Sequence, residues 1–461
     1  MRLAITCFAL LAVLPATAGT VFEVGAGGTH VTIQGALDAA ALVVGASEIR
    51  VSQGTYTENL VVASLVGGAD VTVTGGWDAS FVHRAPDPEL TVVDGTLSDR
   101  VLAVTAPTGV LVVEGLSFVN GVHNDIGAGV MVDPGSGGSL LMTLRSCVVR
   151  SNQLVASDSV FGAGVYGYAK GTSRIVIDDC EIADNTASSS SFNPGGAGAY
   201  VIANSSGRII LSRCHIHDNA ASGVGQVKGA AVWMRTLGTA SAEAVDNLIE
   251  DNSGSSSGSG TTGTGLNATN YSTEPMILRR NVFLGNTGND SSEPQIELDV
   301  VDGSMLMLTD TVVAAADAAG VGAYCGGTIH VVNLTVAEHT GNGLLVSLYG
   351  SGVASVANTI AYGNGGFDAQ LDPSTTTSAN LFGTDPLFVD PVVALDFRVL
   401  PGSPAIDMGN GSVAGLGPWD ADGHGSVRRN GFVDIGAYED QTGVIFADGF
   451  EQGTGRWSST N

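Results

Sequence analysis

His215 and His217 flank a single apolar residue, Ile216, which puts both imidazoles on one face of a β-strand. Glu181 lies 34 residues before His215, and Glu250 lies 33 residues after His217. A repeat at that interval would bring each carboxylate beside an imidazole, a combination suited to general acid–base catalysis. Asp184, Asp218 and Asp251 recur at the same interval. Carboxylates stacked about 5 Å apart repel by roughly 1 kcal/mol even in water. Turn-capping bonds to backbone N–H groups are the simpler compensation, and bound Ca²⁺ is the functional one. Asp420-Ala-Asp422-Gly423 has the look of a Ca²⁺ turn but lacks the spaced glutamate of a complete EF-hand loop. Closing the end of the fold is its simpler role.

The interval belongs to a repeat that runs through the chain. Glycine-rich segments begin at Gly127, Gly162, Gly196, Gly229 and Gly263, in steps of 33 to 35 residues. A second landmark, Cys147…Asn152, Cys180…Asn185, Cys214…Asn219, Asn247…Asn252 and Asn281…Asn286, keeps steps of 33 or 34. Each repeat holds short alternating strands and no helical period, so it reads as one coil of a β-solenoid. Leu144, Ile177, Leu211, Ala244 and Leu278 form one inward column, and Val149, Ile182, Ile216, Ile249 and Phe283 form another.

The repeat gives each column a reading. Asn152, Asn185, Asn219, Asn252 and Asn286 read as an asparagine ladder at a turn. Cys147, Cys180 and Cys214 read as a buried packing stack, although strand spacing also permits a disulfide between neighbours. On the outward side, Gly129, Gly164, Gly198, Ala231 and Gly265 suggest a floor almost free of side chains. Beside it stand Met131, Tyr166, Tyr200, Trp233 and Asn267. Tyr166, Tyr200 and Trp233 are therefore the candidate glycan-binding residues, with rings repeating about every 4.8 Å. The alternatives are a cross-coil ladder that only stabilises the sheet, or rings lying under the loops. Those loops, such as Ala187 to Gly196 and Ser253 to Gly263, are Ser/Gly-rich and read as a flexible wall. Asp179, Arg213 and Asp246 alternate in sign and read as an exposed ion-pair stack.

Glycine supplies 65 of 461 residues, and acids outnumber bases 45 to 18, for a net charge of −27. That charge repels nucleic acid and anionic lipid. Arg2, the apolar run Leu3 to Leu14 and Ala16-Thr17-Ala18 read as a secretory signal over 1–18. No stretch is long enough to span a bilayer as a helix. The expected location is extracellular or at the cell surface.

Thr32-Ile-Gln-Gly-Ala-Leu-Asp-Ala-Ala40 suits a short amphipathic helix that covers one open end. With Ile49-Arg-Val-Ser-Gln-Gly-Thr-Tyr-Thr-Glu58, Gly75-Gly-Trp-Asp78 and Val93-Asp-Gly95, the chain resembles the right-handed parallel β-helix proteins of the pectin-lyase-like class. Asp385-Pro-Leu-Phe388, Ser403-Pro-Ala-Ile-Asp-Met-Gly409 and Asp434-Ile-Gly-Ala-Tyr-Glu439 resemble the choice-of-anchor C-terminal module. The resemblance implies an all-β, right-handed parallel β-helix with an N-terminal cap and first coils over 19–110. Repeats would follow over 111–400, a capping module over 401–441, and a tail over 442–461 with a sorting role. Asp178-Asp179 and Gly423-His-Gly425 resemble hydrolase motifs of that class, but Asp178 and His424 lie 246 residues apart. A lyase base would come from an outward arginine, with Arg145, Arg213, Arg279 and Arg280 as candidates. The expected function is non-catalytic binding of an extracellular polysaccharide or cell-surface component. The alternative is a Ca²⁺-assisted lyase or a glycoside hydrolase, and no other cofactor is implied.

Overall fold

The computed structural model describes residues 19–289, 292–422 and 433–440. The signal segment, Gly423, His424, Gly425, Arg428 and the tail from 442 lie outside the described residues.

One coil shows how the sequence closes. Val165–Ala169 forms the first face, Arg174–Asp178 the second and Glu181–Ala183 the third. Thr186–Ser189 then leads outward, Pro194–Gly195 returns, and Ala199–Ala203 opens the next coil. Successive coils pair in parallel and in register: Tyr166 beside Tyr200, Ile177 beside Leu211, Ile182 beside Ile216. First-face strands make an 11-stranded sheet, and the second and third rows together a 23-stranded one. The fold is a right-handed parallel β-helix. Both apolar columns point into it, with every member 2% exposed or less.

The corners are one residue wide. Ser146, Asp179, Arg213, Asp246 and Arg280 turn the second face into the third with φ between 46° and 61°. Ser151, Asp184, Asp218 and Asp251 turn out of the third face with φ between 53° and 56°. This left-handed conformation is tolerated best by short polar residues, which accounts for much of the aspartate at these columns. So tight a bend leaves core-side carbonyls without strand partners, and asparagine supplies the missing donors. Asn185 Nδ2 donates to Val149 O and to Asn219 Oδ1, each at 2.9 Å, and the pattern runs from Asn152 through Asn286 to Gln295. At the other corner Asn247 Nδ2 donates to Asn281 Oδ1 at 2.9 Å, in line with Cys147, Cys180 and Cys214. The cysteines are buried and free, so no disulfide joins them.

Two expectations need correction. The Ser/Gly-rich loops are not a flexible wall. They build a 5-stranded and a 4-stranded parallel sheet, which enclose a small core of Leu154, Val160, Ala163, Ala187, Ala197, Ala221, Val227 and Ala230. Small residues suit this outer fin because its two sheets lie close together. The third-position glycines are not an outward floor either. A Cβ on Gly164 would stand 2.5 Å from Gly198 O and 2.8 Å from Asn185 Nδ2, so the column packs against the ladder and holds nothing larger than the buried Ala231.

Helix α1 (Ile33–Ala40) buries Ile33, Ala36, Leu37 and Ala40 over the first strands. Glu58 holds its start, accepting from Ile33 N and Gln34 N at 2.8 Å each. Gln34 covers the edge strand Leu60–Val62 by accepting from Val61 N at 2.7 Å and donating to Val61 O at 3.0 Å. Near the other end, Phe388, Phe397, Ala405, Ile435 and Ala437 pack on Val312, Ala314, Ala337 and Ile360, outside the main core. The C-terminal segment thus lies along the flank of the helix.

Asn219→Ala removes donors to Ile182 O, His217 O and Asn252 Oδ1, and leaves the amides of Asn185 without their acceptor. It should cost about 3 kcal/mol or more and raise hydrogen exchange in the coils on either side of the third-face corner. Unchanged exchange there would contradict a stabilising ladder.

Candidate functional site

The glycine-strand aromatics lie outside the main core yet under cover. Tyr166 is 7% exposed and Tyr200 4%. Phe161, on the returning strand of the fin, closes over Tyr200 and Trp233 with ring centroids 5.0 and 5.5 Å away. Tyr200 and Trp233 are 4.7 Å apart. An open sugar groove over Tyr166, Tyr200 and Trp233 is therefore absent, because the fin that carries Phe161 folds back on them. Tyr200→Ala should destabilise the protein by about 3–5 kcal/mol, as truncation of a buried aromatic does. Chemical denaturation checks this, and a neutral effect would show that the column is open.

The histidines and their carboxylates do converge. Glu181 and His215 share one column, and His217 and Glu250 the next. The contacts run diagonally: His215 Nε2 lies 2.8 Å from Glu250 Oε1, and His217 Nε2 lies 3.6 Å from Glu181 Oε1. His217 Nδ1 also meets Asp218 Oδ2 at 2.7 Å, and the two imidazoles stack with centroids 4.1 Å apart. The Glu181 contact is the main cause that lifts the His217 pKa to about 9, aided by Asp218 and opposed by burial. The same contact holds Glu181 below its ordinary range. At neutral pH His217 is thus an imidazolium between two carboxylates.

A raised imidazole pKa adds stability that is complete below about pH 6.5 and lost as pH rises through about 9. The depressed Glu181 adds stability lost on acidification below about pH 4.5. His217→Gln should therefore flatten the fall in thermal midpoint between pH 6.5 and pH 9. Parallel profiles for the variant and the native protein would remove the ion-pair assignment.

The remaining candidates are held structurally. Asp184, Asp218 and Asp251 are exposed left-handed turn residues. Asp420 is fully buried and accepts from Glu439 N at 2.9 Å and Asp422 N at 3.0 Å. Among the described residues, no three or more His, Cys, Asp or Glu side chains are gathered to hold a metal ion. The expected Asp179–Arg213–Asp246 stack is re-paired. Arg213 reaches the buried Asp178, Arg280 grips Asp246 at 2.6 and 2.8 Å, and Asp179 accepts from Ser146 Oγ. Arg145 lies 3.7 Å from both Glu114 and Asp178. Burial pushes the Cys147 and Cys180 thiols well above their ordinary range.

One surface has no counterpart among the sequence-derived candidates. On the first face, Arg235, Thr269, Asp299, Tyr324 and Ser347 stand in one outward column. Tyr271 and Tyr349 border it, and the three tyrosines are 37–48% exposed. The Tyr349 ring lies over Gly326, and its hydroxyl donates to Asp299 Oδ1 at 3.3 Å. The Gly320-Val-Gly-Ala-Tyr324 segment looks like another copy of the glycine strand, but Gly322, two residues before Tyr324, is the residue in line with Trp233. That shift carries Tyr324 beyond the fin's cover and was the available signal.

No family model matches the chain, and no curated protein matches it. Among solved structures it is similar to the crystal structure of pectate lyase Pel9A, at 12% identity and a TM-score of 0.44, over 87% of this chain and 90% of that one. It is also similar to the deglycosylated pectin methylesterase from Aspergillus niger, at 12% identity and a TM-score of 0.35, over 66% and 87%. The strand registers, rather than these likenesses, define the class of protein: a right-handed parallel β-helix. Among the described residues no helix is long and apolar enough to cross a membrane.

Proposed function

We propose that this chain is an exported, non-catalytic β-helix protein that binds glycan at a surface outside the cell, its C-terminal segment serving as an anchor-type module. The binding face is the exposed Tyr271, Tyr324 and Tyr349 group, in place of the buried Tyr166 and Tyr200 and the half-buried Trp233. The carrying observation is three tyrosines, each more than a third exposed, on neighbouring coils of one sheet, with Asp299 beside Tyr324 in register and under the Tyr349 hydroxyl. Such rings offer apolar faces and hydroxyl edges at low entropic cost. The coil rise of about 4.8 Å is close to the size of one sugar ring.

Retention on neutral and charged oligosaccharides tests the reading. Tyr349→Ala and Tyr271→Ala should each weaken binding about tenfold, the loss of a 1–2 kcal/mol contact, with unchanged circular dichroism. Binding that survives both substitutions would move the site elsewhere.

One observation favours the enzyme alternative, the stacked His215/His217 pair between Glu181 and Glu250. Against it, His217 is committed to two carboxylates and Glu181 is held ionised, so neither is poised near neutrality to exchange a proton. New reducing ends formed by the native protein and lost in His217→Ala would establish that reading instead.

A further inference from the structure

The tyrosine face has a charge as well as a shape, and the two together narrow its ligand. Its cation is already committed. Arg235 donates to the Tyr200 hydroxyl at 3.2 Å, with its guanidinium 5.5 Å from the Trp233 ring centre and 5.6 Å from that of Tyr271. Its anion is not committed. Asp299 makes no ion pair among the described residues and accepts only the 3.3 Å bond from Tyr349. One position along the same strand's outward side, Glu297 accepts from Asn267 Nδ2 at 3.0 Å, and burial raises its pKa while nearby Lys228 opposes the rise. Asp302, at the border, accepts from Ser351 Oγ at 2.7 Å.

We infer that the face takes a glycan bearing free amines, a hexosamine oligomer whose ammonium group sits at Asp299 while its rings lie on Tyr271, Tyr324 and Tyr349. The inference rests on the reading of this face as glycan-binding and names the class of sugar. Two attractions act on the same group. The carboxylate meets the ammonium directly in a partly desolvated position, and the tyrosine faces attract a cation through their ring quadrupoles. A polyuronate meets the opposite: a free carboxylate, a guanidinium already engaged, and a chain of net charge −27. The rings span three coil steps, with Tyr271 on one coil, Tyr324 two coils on and Tyr349 just past the strand of the next, so an extended chain of sugar rings could reach all three while its ammonium meets Asp299.

Calorimetric titration of the full chain with three tetrasaccharides of matched length tests this: β-1,4-linked glucosamine, its N-acetylated form, and galacturonate. Short oligomers at moderate salt limit unspecific attraction of an acidic protein to a polycation. The glucosamine oligomer should bind about tenfold more tightly than its N-acetylated form, a difference of about 1.4 kcal/mol. Asp299→Asn should close that gap, and Tyr349→Ala should weaken both sugars. Equal affinity for the amine and acetylated forms, a gap that Asp299→Asn leaves open, or preference for galacturonate, overturns the amine assignment and leaves glycan binding standing. Failure of all three sugars to bind overturns both. Tighter binding of a lysine-rich peptide at Asp299 than of the sugar also overturns the assignment.

Discussion

The asparagine line at the third-face corner is the constraint from which most of the structure follows. A coil this narrow must turn within one residue, and that residue must be left-handed, as at Asp184, Asp218 and Asp251. Such a turn cannot continue the sheet's own hydrogen bonds, so core-side carbonyls such as Val149 O and Ile182 O need other donors. An asparagine amide meets this need in both directions, donating to a carbonyl and to the next asparagine while accepting from the one before. Where asparagine is replaced, Gln295 takes the same role with a longer arm and donates to Ala314 O at 2.9 Å.

The ladder then dictates its neighbours. The glycines at Gly129, Gly164, Gly198 and Gly265 leave room for its amides. The aspartates outside it are selected first by backbone conformation, and their charge is a consequence to be managed. His217 meets part of that need, pairing with Asp218 on one side and Glu181 on the other. Arg213 and Arg280 do the same at the opposite corner, pairing with Asp178 and Asp246. The histidine cluster therefore reads as electrostatic compensation built by the same turn geometry.

The fin changes the function that the outer surface can carry. By folding back, its returning strands convert an aromatic column into a second layer of packing, with Phe161 as the cover over Tyr200 and Trp233. Beyond Thr261–Thr262, the last strand of that cover, the first face opens to solvent. Tyr324 and Tyr349 appear on the coils after this point. Binding capacity is displaced along the axis to where the cover ends.

The parallel β-helix, its inward columns, the asparagine line and the covering helix were all legible in the sequence, because each depends on a side-chain type recurring at a fixed interval. Counting also gathers Glu181, His215, His217 and Glu250 on one surface, but it sets Glu181 with His215 and Glu250 with His217; the diagonal pairing is decided by how the side chains pack. Exposure was not legible. Tyr200 and Tyr324 have the same local signature, a tyrosine four residues after a glycine, yet one is buried and the other open. The difference lies in whether a loop tens of residues away in sequence folds over that column, and in a two-residue phase shift seen only when strands are paired. Periodicity specifies which residues share a column; only tertiary packing decides which columns meet water.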